Sequence, residues 1–476
     1  MAASMSTLTH LSHVFRAYDI RGTAGTELSE EFAHSLGNAF VAYLRETQYR
    51  VESVALGMDN RPSSPALYAA VRDGLSSAGV TVRDIGVCST PLLGFAVYYY
   101  RLDGGICVTG SHNSPRINGF KLERESAYPL AGDDIEHLRT LMTAGDLTST
   151  RERRHAFPLD VRDAYLRALA ELIRMERPLH VVIDAGNGVM GSLAPELFRR
   201  LGCEVTELYC EPDSSFPHHI PNPEAPENMR DLQRLVVSAD ADLGVAFDGD
   251  GDRLGVVDEE GSLFAPERTL ILLARDLLQR HPGATVLLDV KSSRTAIEDI
   301  VNHGGKPELT RTGHSLIRRR MADEGVLLAG EHSGHFFTTE DFCGTSDALL
   351  AAARLASVLS RETTPLSKAL GHLPERHSSG LVELPVPEHL KQRVAARMAE
   401  VLSKAYPGAI TVDGVRVEFA DGWALVRASN TGPRLTLRFE ADTAERLAEI
   451  QSLILSHLTA IEMRMGLSVT PELPHD

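Results

Sequence analysis

SVALGMDNRPSSPALYAAVRDGLSSAGVTVRDIG, residues 53–86, reads as a strand, a polar turn, an amphipathic helix, a glycine-containing turn and a second strand. Its first apolar run stops at Asp59, near where a helix should begin. Leu67, Val71 and Leu75 then fall at helical spacing, and Gly79 is the stop signal. The same plan recurs in HVVIDAGNGVMGSLAPELFRRLGCEVTEL, residues 180–208, and in ATVLLDVKSSRTAIEDIVNHGGKPELTRTG, residues 284–313. Asp184 and Asp289 take the place of Asp59, and Gly202 and Gly304 that of Gly79. Three βαβ units of this kind predict α/β domains with mixed or parallel sheets and helices on both faces.

Each unit is followed by another apolar strand that runs into a polar loop. These are GGICVTG into SHNSPRINGFK, DLGVAF into DGDGDR, and GVLLAG into EHSGH. Ligands in open α/β sheets bind beyond the carboxyl ends of strands, so three domains of one design could aim three loops at one cleft. The remainder has a different pattern: a helix from Lys391 to Tyr406, strands in DGVRVEF, WALVRAS and RLTLRFEA, and a helix from Thr443. It predicts a small α+β domain with antiparallel strands. The expected domains are 1–156, 157–261, 262–374 and 375–476, consistent with a length of 476 residues that exceeds one core.

A net charge of −17 and a pI near 5.6 argue against nucleic acid and anionic membranes as partners. An anionic ligand would need a locally basic cleft. The N-terminal stretch has no basic and apolar regions of a secretory signal, and no apolar run approaches the ~18 residues of a membrane span. Five scattered cysteines without a C-x-x-C pair predict buried thiols in a reducing cytoplasm.

Asp248-Gly-Asp250-Gly-Asp252-Arg253 is the sharpest motif. Carboxylates at alternate positions project the same way, and the glycines let the backbone curl so that all three converge. Three clustered carboxylates repel one another unless a cation sits among them, and hard oxygen ligands indicate Mg²⁺, Mn²⁺ or Ca²⁺. An EF-hand competes, since Glu259 falls at the twelfth position, but Arg253 stands where that loop needs glycine. Ser111, in Thr109-Gly-Ser-His112-Asn113, suits an exposed nucleophile at a strand end, although by itself such a pair is more often an ordinary turn. A cation close to it would neutralise a phosphoryl group carried there. Arg427, Ser429, Asn430 and Thr431, before Gly432 and Pro433, make a dense donor set for phosphate, or else a hairpin turn with capping side chains. Glu331-His332-Ser333-Gly334-His335 offers donors and acceptors suited to sugar hydroxyls, or a polar turn. Gly186-Asn-Gly188-Val-Met-Gly191 matches a dinucleotide fingerprint, with Glu204 beyond it. Asp184 would face the pyrophosphate, however, and the sister units lack the glycines, so these glycines are read as structural.

These loops, in this order, resemble the α-D-phosphohexomutase family, closest to its phosphomannomutase/phosphoglucomutase branch. The resemblance runs from Phe15-Arg-Ala-Tyr-Asp-Ile-Arg-Gly22 to the Arg427 loop and takes in four motifs in register. It implies three related α/β domains with mixed sheets and a mobile C-terminal α+β domain around a central cleft. It implies a serine phosphorylated at rest on Ser111, and one Mg²⁺ per chain held by Asp248, Asp250, Asp252 and a phosphoserine oxygen. The expected reaction moves a phosphoryl group between the C1 and C6 hydroxyls of a hexose phosphate, through a hexose 1,6-bisphosphate. By resemblance Glu331 and Ser333 hold sugar hydroxyls with His314 nearby, and Arg427, Ser429, Asn430 and Thr431 grip the non-reacting phosphate. Lys291 adds charge at that site, and Tyr18 lines the cleft. Arg21, His112, Lys121 and Arg253 surround the transferring phosphoryl group. His112, Lys121 and His335 are the candidates for general acid and base.

The family commonly carries Pro directly after Ser-His-Asn, whereas here Ser114 precedes Pro115. That removes a φ restraint beside the nucleophile and adds a second hydroxyl. The amino-sugar branch, phosphoglucosamine mutase, is the alternative, with His332 standing where that branch usually has Gln. A serine metallophosphatase would need histidine-rich two-metal ligation that the chain lacks. A non-catalytic phosphosugar-binding protein would have lost Ser111 or the aspartates, and all are intact.

Overall fold

A computed structural model describes residues 11–144, 152–430 and 432–465. The chain divides into two compact units, one of Met1–Thr285 with His314–Leu370, the other of Val286–Gly313 with Gly371–Asp476.

In the first unit the strands are β1 (Ile20–Thr23), β2 (Ser53–Met58), β3 (Thr81–Val87), β4 (Gly104–Val108), β5 (Ile117–Arg124), β6 (Tyr128–Pro129) and β7 (Ala156–Pro158). They form a sheet in the order β1-β5-β4-β2-β3-β7, with β6 beside β5. Strands β2, β3, β4 and β7 run parallel, while β5 is antiparallel to β4 and to β1. A second sheet contains β8 (His180–Asp184), β9 (Glu204–Leu208), β10 (Leu243–Phe247), β11 (Leu254–Asp258) and β12 (Leu263–Phe264), in the order β12-β11-β10-β8-β9. Again the βαβ strands are parallel and the strand after the polar loop is antiparallel. Both sheets are mixed, as the repeats predict.

The repeats owe their shape to local chemistry. Gly79, Gly202 and Gly304 end their helices at φ near +80°, a conformation that costs a side-chain-bearing residue energy. The helix Glu30–Thr47 buries Phe32, Leu36, Phe40 and Leu44 on one face. It packs on the helix Ser64–Ser77 at backbone distance, since a Cβ on Gly74 would lie 2.2 Å from the His34 carbonyl oxygen. Fully burying each such Leu or Phe contributes about 1.5–3 kcal/mol.

The third repeat is divided. Strands β13 (Thr285–Asp289) and β14 (Lys306–Thr310), with the helix Arg294–Asn302 between them, fall almost wholly in the second unit. The hairpin of β15 (Leu328–Gly330) and β16 (Phe336–Thr338) belongs to the first. The C-terminal part of the second unit is an antiparallel sheet, β17 (His377–Pro385), β18 (Val415–Phe419), β19 (Gly422–Ala428) and β20 (Arg434–Ala441), in the order β17-β20-β19-β18. The last three are the expected strands; β17 extends the sheet by one. Helices Glu388–Ala405 and Ala444–Met465 bury Val394, Met398, Leu402, Ile450, Ile454 and Leu458 against Val417, Val426, Leu437 and Phe439. On the other face Trp423 packs on Val290, and the buried Arg416 guanidinium stacks on its ring at 3.7 Å. That contact ties residues 286–313 to the C-terminal sheet. All five cysteines are buried and free.

Candidate active site

Three of the repeats' polar loops are hairpin tips in the first unit: β4 to β5, β10 to β11, and β15 to β16. In the first, Thr109 Oγ1 and the Gly110 amide donate to Asp59 at 2.9 and 3.0 Å, and the Ser111 amide donates to Thr109 Oγ1 at 2.8 Å. These bonds turn the chain through a left-handed Ser111, φ +50°. Its side chain is buried and donates from Oγ to Asp248 Oδ2 at 2.6 Å. Ser114 lies exposed farther along the loop.

The second tip carries the aspartates. Asp248 Oδ1 accepts the amides of Asp252 and Arg253 at 3.0 and 3.2 Å, curling the loop on itself. The intervening glycines are needed for close approach: a Cβ on Gly249 would lie 2.5 Å from the Ser111 carbonyl oxygen, and Gly251 has φ +76°. Carboxylate oxygens of the three aspartates lie within 4.8 Å of one another, and all three residues are buried. Lys121 Nζ meets Asp250 at 2.7 Å and Asp252 at 2.5 Å, and Thr90 Oγ1 donates to Asp250 at 2.6 Å. Against the three carboxylates stand the Lys121 ammonium and His335, which is shared with Glu331, so the cluster is short of positive charge. Burial and the neighbouring Asp250 and Asp252 accordingly push the Asp248 carboxyl well above its usual range. Asp250 Oδ1 is buried without a hydrogen bond, and Asp252 Oδ1 has only the His335 ring nitrogen, 3.4 Å away. Convergent oxygens with unused lone pairs fit a hard divalent cation.

The third tip reaches the same place. Glu331 Oε2 and Ser333 Oγ lie 3.1 and 2.9 Å from His335 Nδ1, and His335 Nε2 lies 3.4 Å from Asp252. Burial opposes the His335 imidazolium, but Asp252 and Glu331 outweigh it and hold its pKa up at about 9. His314 stacks on His335, with ring centroids 5.6 Å apart, and meets Tyr18 edge-on at 4.8 Å. Burial, then the Lys121 charge, pushes His314 down to about 3, so it is a neutral hydrogen-bonding group. Arg21 donates to the Gly110 carbonyl at 3.0 Å and pairs with Asp19, Arg253 pairs with Glu224, and His112 Nδ1 lies 3.2 Å from Ser111 Oγ. The buried Nε atoms of Arg21 and Arg253 have no hydrogen-bond partner, leaving donors for an anion.

The remaining expected residues lie in the second unit. Arg427 Nε pairs with Asp413 at 2.8 Å while its buried Nη2 has no hydrogen bond, and Asn430 donates to the Thr312 carbonyl at 3.1 Å. Ser429 is buried at the end of β19, and Thr431 lies outside the described residues. Lys291 Nζ lies 3.2 Å from Asp289. Its loop is held by Arg416, which donates to the Val290 and Ser292 carbonyls, and by Arg438, which donates to that of Lys291.

Sequence reasoning missed Arg61, Thr90, Asp413, Arg416 and Arg438. The sole available signal was the strand-end aspartate of each repeat, which marked Asp59 without its partner. The glycine fingerprint at 186–191 is structural, as read: a Cβ on Gly191 would lie 1.8 Å from the Cys210 carbonyl oxygen.

Four family models match in sequence order: phosphoglucomutase/phosphomannomutase alpha/beta/alpha domains I, II and III at residues 12–149, 163–261 and 265–377, and the C-terminal domain at 381–456. A phosphomannomutase/phosphoglucomutase of Pseudomonas aeruginosa is 41% identical over 450 residues, 94% of this chain and 96% of the relative. The chain belongs to the phosphoglucomutase/phosphomannomutase family. A phosphoglucomutase of Neisseria gonorrhoeae is likewise 41% identical, over 92% of this chain and 95% of the relative. The crystal structure of a family protein from Burkholderia thailandensis shares 38% identity, with a TM-score of 0.88 over 96% of this chain and 98% of that one.

Proposed function

We propose that this family member is a phosphohexomutase that interconverts the 1- and 6-phosphates of mannose, glucose or both, with Ser111 as the phosphoryl carrier. The observation that carries the reading is the Ser111 hydroxyl, buried 2.6 Å from Asp248 at the edge of the three-carboxylate cluster. Asp248, Asp250, Asp252 and an oxygen on phosphorylated Ser111 would hold one Mg²⁺, which would neutralise phosphoryl charge as the transfer proceeds.

Ser111 presents its phosphoryl group to the free hydroxyl of a hexose 1- or 6-phosphate. The sugar oxygen bonds to phosphorus as the bond to Oγ breaks, and the hydroxyl proton passes to a basic group of the site. Of the three candidates, His112, 3.2 Å from Ser111 Oγ and kept neutral by burial, can accept that proton, while Lys121 and His335, cationic beside the aspartates, serve as proton donors to the departing oxygen. Arg21 and Arg253 bind the equatorial oxygens through their unused donors, where charge accumulates. Glu331 and Ser333 orient the ring hydroxyls. Arg427, Ser429 and Asn430, with Lys291, bind the phosphate that does not react. The hexose 1,6-bisphosphate then turns over and returns its other phosphoryl group to Ser111, while the proton goes back to the new sugar hydroxyl. Protons and phosphoryl groups balance over the cycle.

The test is a coupled assay with glucose 1-phosphate, mannose 1-phosphate and glucosamine 1-phosphate, with and without Mg²⁺ and bisphosphate. Mutase products from the first two are expected. Inorganic phosphate as the main product would instead establish a phosphatase. No observation favours the amino sugar: His332, the position that separates that branch, is turned to Glu267 at 2.8 Å.

A further inference from the structure

Arg61 uses every donor it has on the serine loop. Its guanidinium is fully buried. Nη2 donates to the carbonyls of Ser111 and Asn113 at 2.5 and 2.6 Å, and Nη1 to those of Ser114 and Ile117 at 2.6 and 3.1 Å. Nε donates to Asp59 at 3.1 Å. A guanidinium has five N–H donors, and here each has an acceptor. Arg61 therefore differs from Arg21 and Arg253, whose buried Nε atoms remain available to an anion. It has nothing left with which to bind phosphate.

Its work is on the backbone. Four carbonyls turned inward on one cation define a tight arch, and Ser111 sits in that arch at φ +50°. A residue with a side chain held there costs about 1–3 kcal/mol unless its surroundings enforce the conformation. Asp59 completes the enforcement by accepting the Thr109 hydroxyl, the Gly110 amide and the Ser64 hydroxyl while holding Arg61 in orientation. The arch is also joined to the segments around the aspartate loop. The Phe216 ring covers the guanidinium at 5.6 Å, and the neighbouring Asn60 donates to the Asn187 carbonyl at 2.7 Å.

We infer that Arg61 is a positioning residue: it sets the backbone angle at which Ser111 offers its oxygen to the aspartates and to substrate, without touching either. The inference rests on Ser111 as the phosphoryl carrier. It also accounts for a loop that keeps its form with Ser114 where the family resemblance leads one to expect proline, since the Ser114 carbonyl is fixed by Arg61 rather than by ring geometry. A lysine cannot replace Arg61, because a point-like ammonium with three donors cannot fork over four carbonyls and a carboxylate.

The experiment compares kcat, KM for hexose 1-phosphate and Mg²⁺ activation in Arg61→Lys, Gly110→Ala and Phe216→Leu, with Ser111→Ala beside them. Gly110→Ala perturbs the clamp from the other side, since its Cβ would lie 2.5 Å from Arg61 Nε. Arg61→Lys and Gly110→Ala should each lose about a hundredfold in kcat, the scale of an ångström-sized misplacement, with KM within about threefold of the parent. Phe216→Leu should lose a smaller factor, again in kcat alone. Parental kcat in Arg61→Lys overturns the inference, and so does a loss confined to KM, which would make Arg61 a phosphate ligand. If Arg61→Lys does not fold, the other two variants decide, and parental kcat in both overturns it. Activity in Ser111→Ala would instead remove the carrier itself, a separate failure.

Discussion

Thr90 meets the aspartates from outside the three loops: its hydroxyl donates to Asp250 at 2.6 Å from the first turn of the helix Thr90–Tyr99. That bond fixes which lone pairs of Asp250 face the cluster. Thr90→Val keeps the shape and removes the donor, so Mg²⁺ should bind about 10–100-fold more weakly while kcat at saturating metal stays near the parent. Titrating activity against Mg²⁺ measures this; an unchanged half-saturation would mean Thr90 has no hold on the site. At this scale the legible residues were those whose type and spacing carry chemistry by themselves. Asp248, Asp250 and Asp252 alternate with glycines, and Ser111 follows a strand beside His112. Thr90 and Arg61 were not legible, because a threonine before proline and an arginine in a turn look like ordinary surface. Only acceptors distant in sequence, Asp250 for Thr90 and the 111–117 carbonyls for Arg61, give them roles.

The repeated unit accounts for the elements. Each copy ends its first strand in an aspartate that anchors a nearby cation or hydrogen-bond donor: Asp59 with Arg61, Asp184 with His219 at 3.0 Å, and Asp289 with Lys291. In the first copy the cation is consumed by a loop, whereas in the third Arg416 and Arg438 hold the loop carbonyls. The sequence pattern revealed the three copies through their apolar runs and stop glycines. It did not reveal that the third is divided, because the packing of Val290 on Trp423 links residues far apart in the chain. Another long-range cluster joins the helices Pro266–Arg280 and Ala348–Arg361. Glu340 accepts from Arg280 at 2.9 Å, Arg354 at 2.6 Å and His281 at 2.8 Å. Burial would raise the Glu340 carboxyl, but Arg280 and Arg354 outweigh it and hold its pKa down at about 2. A depressed carboxyl stabilises the fold fully above its unfolded pKa, near 4.5, and that contribution fades as pH falls through about 2. Glu340→Gln should therefore melt below the parent at pH 7, with the gap closing toward pH 2. Melting curves across that range check it, and a gap independent of pH would contradict the assignment.

For the molecule as a whole, the charge of −17 makes the placement of cations informative. Arg21 and Lys121 are buried, and Arg253 largely so, in or beside one carboxylate cluster, while no helix among the described residues is long and apolar enough to cross a membrane. An acidic protein of this kind can hold an anionic sugar phosphate only where such cations concentrate. Three buried carboxylates, balanced by Lys121 and by a His335 shared with Glu331, also predict a stability that depends on metal. Mg²⁺ at about a hundred times its dissociation constant should add about 2.7 kcal/mol, and chelation should lower Tm. Asp248→Asn should abolish that dependence; a Tm indifferent to chelator in the parent would argue against metal at the cluster. The central claim is that Ser111 carries the phosphoryl group. Mass-spectrometric mapping of the protein after exposure to hexose 1,6-bisphosphate, and again after a chase with hexose 1-phosphate, tests it most directly. Phosphate on Ser111 that the chase removes is the predicted result. Phosphate on Ser114, or an active enzyme that is never phosphorylated on Ser111, would contradict it.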